Sequence, residues 1–190
     1  MGLMAKVSRR TLQRRYEAAA ETGDADAMLF LATVSAKEDP AAAREWFRRA
    51  AEAGNVHAMY IVGLYLEPHA ADASRTWLER AADNGHIDAS IKLGVADQPT
   101  DPRAARRRYE QAAERGSAIA MFNLGLMLEP TDREAAIGWY EQAVQGDDAD
   151  AMIRLAGLTE GSDREAARTL LERAAAAGHP EAQERLGPAS

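Results

Sequence analysis

Residues 58–68 read AMYIVGLYLEP, and residues 120–130 read AMFNLGLMLEP. Alanine, methionine, glycine, leucine, glutamate and proline recur at matching places, two steps of 31 apart. The step runs through the chain. Ala27, Ala58, Ala89, Ala120, Ala151 and Ala182 keep it, as do Ala19, Ala50, Ala81, Ala112, Ala143 and Ala174. Leu31, Val62, Leu93, Leu124, Leu155 and Leu186 form a third column. Gly23, Gly54, Gly85, Gly116 and Gly178 form a fourth, with Asp147 in the missing place. No insertion interrupts the register. A fixed period of this length is the signature of a stacked architecture in which one supersecondary unit recurs.

Each unit reads as two helices. One carries aromatic residues, as in WFRRAAEAG, TWLERAADNG, RYEQAAERG and WYEQAVQGD. Its start signals are Asp101-Pro102, Thr131-x-x-Glu134 and Ser162-x-x-Glu165. Its end is the glycine column, where the chain turns through a left-handed residue. Asp147 must take that conformation itself, which aspartate tolerates better than most residues, or hand the turn to Gly146. The second helix is built from small residues, as in AMYIVGLYLE, ASIKLGVAD and AMFNLGLMLE, and Pro68, Pro99 and Pro130 stop it. No strand-like alternation occurs. Helix pairs in tandem form an α-solenoid. The expected fold is all-α: one array over residues 1–190, a right-handed superhelix of about six 31-residue helix-turn-helix units from about residue 8 to 187. Residues 1–7 form a short N-terminal extension.

Two stretches carry a family resemblance: Ala120-x-x-x-Leu124-Gly125 followed by Trp139-Tyr140-x-x-Ala143, and Trp46-Phe47-x-x-Ala50-Ala51-x-x-Gly54. The pattern resembles the Sel-one-like repeat, a relative of the tetratricopeptide repeat, over nearly the whole chain. The unit is shorter than is usual in that family and lacks its glycine-containing loop between the two helices. The resemblance implies scaffold or adaptor work without catalysis. It also assigns the small helix to the concave surface.

The ends look like caps. Arg15 stands in the column of Trp46, Trp77 and Trp139, and Gln183 stands in the column of Met28, Met59, Met121 and Met152. The tryptophans are expected to be buried, and Arg15 and Gln183 exposed, as in a complete short array.

Composition excludes several functions. The chain has no cysteine, so disulfides, thiol catalysis and cysteine-ligated metal are ruled out. The net charge of −7 argues against nucleic acid or an anionic membrane as a partner. No apolar run is long enough for a membrane span, and the first residues, MGLMAKVSRR, lack the apolar core of a secretory signal. The expected location is the cytoplasm. No cofactor is implied. His86 and His179 share a column with Asp24 and Asn55, which marks a helix cap. His57 shares one with Asp26, Asp88 and Asp150, an exposed rim. No pair has metal spacing such as His-Glu-x-x-His. The basic run at Arg103–Arg108 falls into Arg-to-Glu pairs four residues apart: Arg75 with Glu79, Arg106 with Glu110, and Arg168 with Glu172. That is the pattern of a solvated helix face.

One feature is left over. At 100° per residue, Tyr60 and Leu64 lie opposite the core positions Val62 and Leu66, yet they are apolar. Their columns hold Leu29, Tyr60, Ile91, Phe122 and Ile153, and Thr33, Leu64, Val95, Leu126 and Gly157. Charged or polar residues flank them: His57 and Asp88 on one side, Lys92, Asn123 and Arg154 on the other. An apolar floor with a polar rim suits a groove for a peptide or helix of a partner protein. The same stripe also suits burial between neighbouring small helices, closure by a second copy of the chain, or self-capping by Leu3, Met4 and Val7.

Overall fold

The computed structural model describes residues 9–187. Among them are twelve α-helices: α1 (Arg9–Glu21), α2 (Ala25–Ser35), α3 (Pro40–Glu52), α4 (Val56–Leu66), α5 (Ala71–Asp83), α6 (Ile87–Asp97), α7 (Pro102–Ala113), α8 (Ala118–Leu128), α9 (Arg133–Gln145), α10 (Ala149–Thr159), α11 (Arg164–Ala176) and α12 (Pro180–Leu186). Even-numbered helices are the small ones and odd-numbered helices the aromatic ones. The chain divides into two compact units, residues 1–89 and 90–190. In the first, α2 packs on α1 and α3, and α4 on α3 and α5. In the second, α8 packs on α7 and α9, α10 on α9 and α11, and α12 on α11.

The glycine column does what its chemistry requires. Gly23, Gly54, Gly85, Gly116 and Gly178 have φ between 86° and 101°. Asp147 holds φ 57°, and Gly146 stays at −90°, so the aspartate carries the turn itself. The amide of Asn55 donates to the Ala50 carbonyl at 2.9 Å, and that of Gly54 to Ala51 at 3.1 Å. Asp148 and Asp147 repeat both bonds, to Ala143 and Val144, each at 3.2 Å. This is the Schellman ending.

The starts of the aromatic helices correct the sequence reading. Thr131 and Ser162 do not cap. Their hydroxyls donate back to the Leu128 and Thr159 carbonyls. The caps are the next residues, Asp132 and Asp163, whose carboxylates accept from the amides of Ala135 and Ala166. Asp39 and Asp101 act in the same way. Ala70 holds the same column with similar backbone angles and has no side chain to cap with.

The core also differs from expectation by one residue. Trp46, Trp77 and Trp139 are only half-buried. The following column faces inward: Leu78, Tyr109, Tyr140 and Leu171 are buried and Phe47 half-buried. Opposite it runs a column of the smallest residues: Ala32, Gly63, Gly94, Gly125 and Ala156. At Gly94 an added Cβ would lie 2.6 Å from the Tyr109 ring, and at Gly125 it would run into the Tyr140 ring. The helices cross so closely only because no Cβ intervenes. Each tyrosine then satisfies its hydroxyl at the far end of the small helix. Tyr109 donates to Gln98 at 3.1 Å and Tyr140 to Glu129 at 2.7 Å. In the buried place before Leu78, Ser74 donates to the Gly63 carbonyl at 2.7 Å. Arg15 and Gln183 are exposed, as expected. Arg108, in the tryptophan column, is half-buried like its neighbours there.

Candidate partner-binding surface

The small helices present the nominated columns on the side away from the buried alanines. In the first unit Leu29, Tyr60 and Leu64 are half-buried, while His57 and Asp88 are exposed. The Tyr60 ring stacks on His86 with centroids 4.3 Å apart. Asn55 donates to Asp26 at 2.7 Å, and His57 Nδ1 lies 3.3 Å from His86 Nε2.

In the second unit the columns divide. Val95 is 56% exposed, whereas Ile153 is buried at 6%. Ile153 is therefore core and leaves the list of open floor residues. Phe122 and Leu126 are half-buried and pack against the cluster that contains Tyr140 and Ile153. The Phe122 ring centre lies 5.8 Å from that of Tyr140. Ile91, Lys92 and Asn123 are half-buried and Arg154 is exposed. A cleft of about 480 Å³ opens here, with Phe122, Ile153 and Leu158 as its apolar wall and Arg154, Asp150 and Glu129 among its polar ones. The stripe is thus neither wholly open nor wholly core. Leu3, Met4 and Val7 lie outside the described residues.

A second surface in the first unit has no counterpart among the nominated residues. α3, α4 and α5 enclose an apolar cleft of about 690 Å³ lined by Phe47, Ile61, Tyr65, Leu66 and Trp77. Tyr65 is 49% exposed, and the Arg44 guanidinium lies over its ring at 5.3 Å. The signal was available: Ile61 is apolar where later units place Lys92, Asn123 and Arg154.

The cap column behaves as its chemistry suggests, with one exception. Asp24, Asn55, Ser117 and Asp148 accept from the first-turn amides of their small helices. Burial raises the Asp148 carboxyl above its ordinary value, against the amide bonds that lower it. His86 Nδ1 accepts from Ala89 at 3.4 Å. His179 occupies the cap place of α12 without making the bond, and meets Asp150 at 3.1 Å instead. The arginine face forms the expected pairs: Arg75–Glu79, Arg106–Glu110 and Arg168–Glu172, at 2.7 to 2.9 Å. Among the described residues, no group of three histidine, aspartate or glutamate side chains could hold a metal ion. No described helix is long and apolar enough to cross a membrane.

The profile of the Sel1 repeat matches residues 17–55, 56–86, 91–117, 118–148 and 149–179. The chain belongs to the Sel1 repeat family. Five repeats are matched rather than six, and the helices show why. A Sel1 unit runs from a small helix into the aromatic helix after it, so α2–α3 to α10–α11 make five units, with α1 before them and α12 after. Sel1 repeats commonly serve as protein-interaction scaffolds. Among solved structures, the chain is similar to a protective antigen of uropathogenic Escherichia coli with an SLR fold. The identity is 25% and the TM-score 0.85, over 95% of this chain and 44% of that one. The chain thus spans less than half the length of that protein. It is also similar to a Sel1 repeat protein of Oxalobacter formigenes, at 22% identity and TM-score 0.78, over 92% of this chain and 88% of that one. An immunity protein of Pseudomonas aeruginosa shares the fold at 16% identity and TM-score 0.57, over 90% and 75% of the two chains. No curated protein matches the sequence.

Proposed function

We propose that this Sel1 repeat protein is a non-catalytic adaptor whose small-helix face receives a peptide or helix of a partner protein. The observation that carries the reading is Val95. It is 56% exposed in the second unit, in a column that also supplies the half-buried Leu126, beside the half-buried Ile91 and Phe122. Exposed apolar side chains on an otherwise polar surface favour a protein ligand, and the net charge of −7 disfavours nucleic acid. The test is affinity capture with wild type, Val95→Asp and Val95→Arg, with Arg168→Glu on a solvated helix face as control. A partner retained by wild type and the control but lost by both Val95 variants, with unchanged melting, supports the reading. A partner retained by all four refutes it. Phe122 is a less discriminating probe, because it both lines the cleft and packs on Tyr140.

The α3–α4–α5 cleft favours a second reading, self-association through Tyr65 and Trp77. Light scattering of wild type and Tyr65→Glu decides it: a dimer that becomes a monomer supports that reading, and a monomeric wild type removes it.

A further inference from the structure

In three places the cap residue of one small helix reaches back to the previous small helix. Asn55 donates to Asp26 at 2.7 Å, His179 meets Asp150 at 3.1 Å, and His86 Nε2 lies 3.3 Å from His57 Nδ1. The receiving column holds Asp26, Asp88 and Asp150, with His57 and Ile119 as its departures, and His57 faces another histidine. His86 has two further contacts. Its Nδ1 accepts the Ala89 amide at the start of α6, and its ring stacks on Tyr60.

These contacts fix the proton. An Nδ1 that accepts from Ala89 carries no hydrogen, so neutral His86 is protonated on Nε2 and donates to a bare His57 Nδ1. No protonated form keeps both bonds. A proton on His86 must occupy Nδ1 and ends the cap. A proton on His57 Nδ1 opposes the His86 N–H and ends the link, unless His86 changes tautomer and gives up the cap instead. A second proton ends both, and places a positive ring at a helix N-terminus, where the helix dipole disfavours it.

We propose that His57 and His86 form an acid-released latch that, when protonated, loosens the first turn of α6 and the Tyr60 side chain. Burial and the nearby His57 hold His86 below its ordinary value, while Asp88 opposes them. On α5, Asp83 and Arg80 are exposed, and Arg80 lies over the Trp77 ring. The sign follows from the lowered value: the latch's contribution to stability is complete above pH 6.5 and declines as the pH falls through the folded midpoint. The latch stands whether or not the face binds a partner.

The experiment is an NMR titration of the histidine ring, Ala89 amide and Tyr60 ring signals. In wild type, His86 is expected to titrate below pH 6.5, with Ala89 and Tyr60 moving at the same midpoint. His57→Asp recreates the Asp150–His179 arrangement and is expected to raise the His86 midpoint. His86→Asn repeats the Asn55 cap and is expected to make Ala89 indifferent to pH in this range. A wild-type His86 that titrates at or above 6.5, or an Ala89 amide that ignores its midpoint, overturns the latch without reference to any variant.

Discussion

Alanine in place of Gly125 tests the helix crossing directly, because two effects of known size oppose each other. Inside a helix, alanine is favoured over glycine by about 0.8–1 kcal/mol. Propensity alone therefore makes Gly125→Ala a stabilising change. The packing says the reverse. The new Cβ would meet three atoms of the Tyr140 ring, Cε1, Cδ1 and Cζ, the last at 2.8 Å. The ring cannot swing away, since it is fully buried and its hydroxyl is held by Glu129 at 2.7 Å. Either α8 and α9 separate or the ring leaves its rotamer. Inserted core volume of this kind costs about 1–3 kcal/mol, and the upper part of that range applies to a rigid ring, so about 1–2 kcal/mol of destabilisation remains after the propensity gain. For a chain of this size that lowers the thermal midpoint by about 2–8 °C, read by circular dichroism. A second background sharpens the test. Gly125→Ala combined with Tyr140→Leu reproduces the Ala156–Leu171 pair already present, and a flexible leucine yields more easily than a ring, so Gly125→Ala should cost less in the Tyr140→Leu background than in wild type. A Gly125→Ala protein that melts above wild type, or an equal effect in both backgrounds, refutes the close crossing as the reason for glycine.

Two further changes test local structure. Ala70→Asp supplies the one missing cap of the Asp39, Asp101, Asp132 and Asp163 column and should stabilise by about 1 kcal/mol; a denaturation midpoint that stays put would show that the α5 start is satisfied in another way. Asp147→Gly relieves a left-handed aspartate but removes its exposed 3.0 Å pair with Arg173, leaving a net gain of about 0.5 kcal/mol; a fall in melting temperature would mean that the ion pair outweighs the strain.

The repeat, the helix pairs and the helix ends were legible because each rests on one residue type at one step. A glycine every 31 residues has few meanings, and the positive φ values show the expected one. The inward column was not legible in the same way. Trp46 and Phe47 are adjacent, and each has an alanine four residues before it, Ala42 and Ala43, so both look equally fit to face a core. The column of small residues opposite, from Ala32 through Gly94 and Gly125 to Ala156, decides between them only once the crossing is seen. The aspartate caps were passed over because Thr131 and Ser162, one residue earlier, match a capping box. The candidate face was partly legible. A column records polarity and not how far the next helix stands away, which is why one apolar stripe contains both an exposed Val95 and a buried Ile153. The α3–α4–α5 cleft belongs to departures from the repeat rather than to the repeat itself.

The fit of each small residue to the side chain it faces has a consequence for how such a chain can be lengthened or spliced. Gly94 with Tyr109, Gly125 with Tyr140 and Ala156 with Leu171 each lie inside a single Sel1 unit, never across two. A gene rearrangement that breaks in the turn before a small helix moves whole units and carries each fitted pair along intact. A break between the small helix and its aromatic partner can leave a tyrosine ring facing a methyl group, as if Tyr140 were joined to Ala156. The protein therefore has permitted and forbidden seams. Duplication, loss or grafting of segments should survive when cut next to Ser117 or Asp148 and fail when cut next to Asp132 or Asp163.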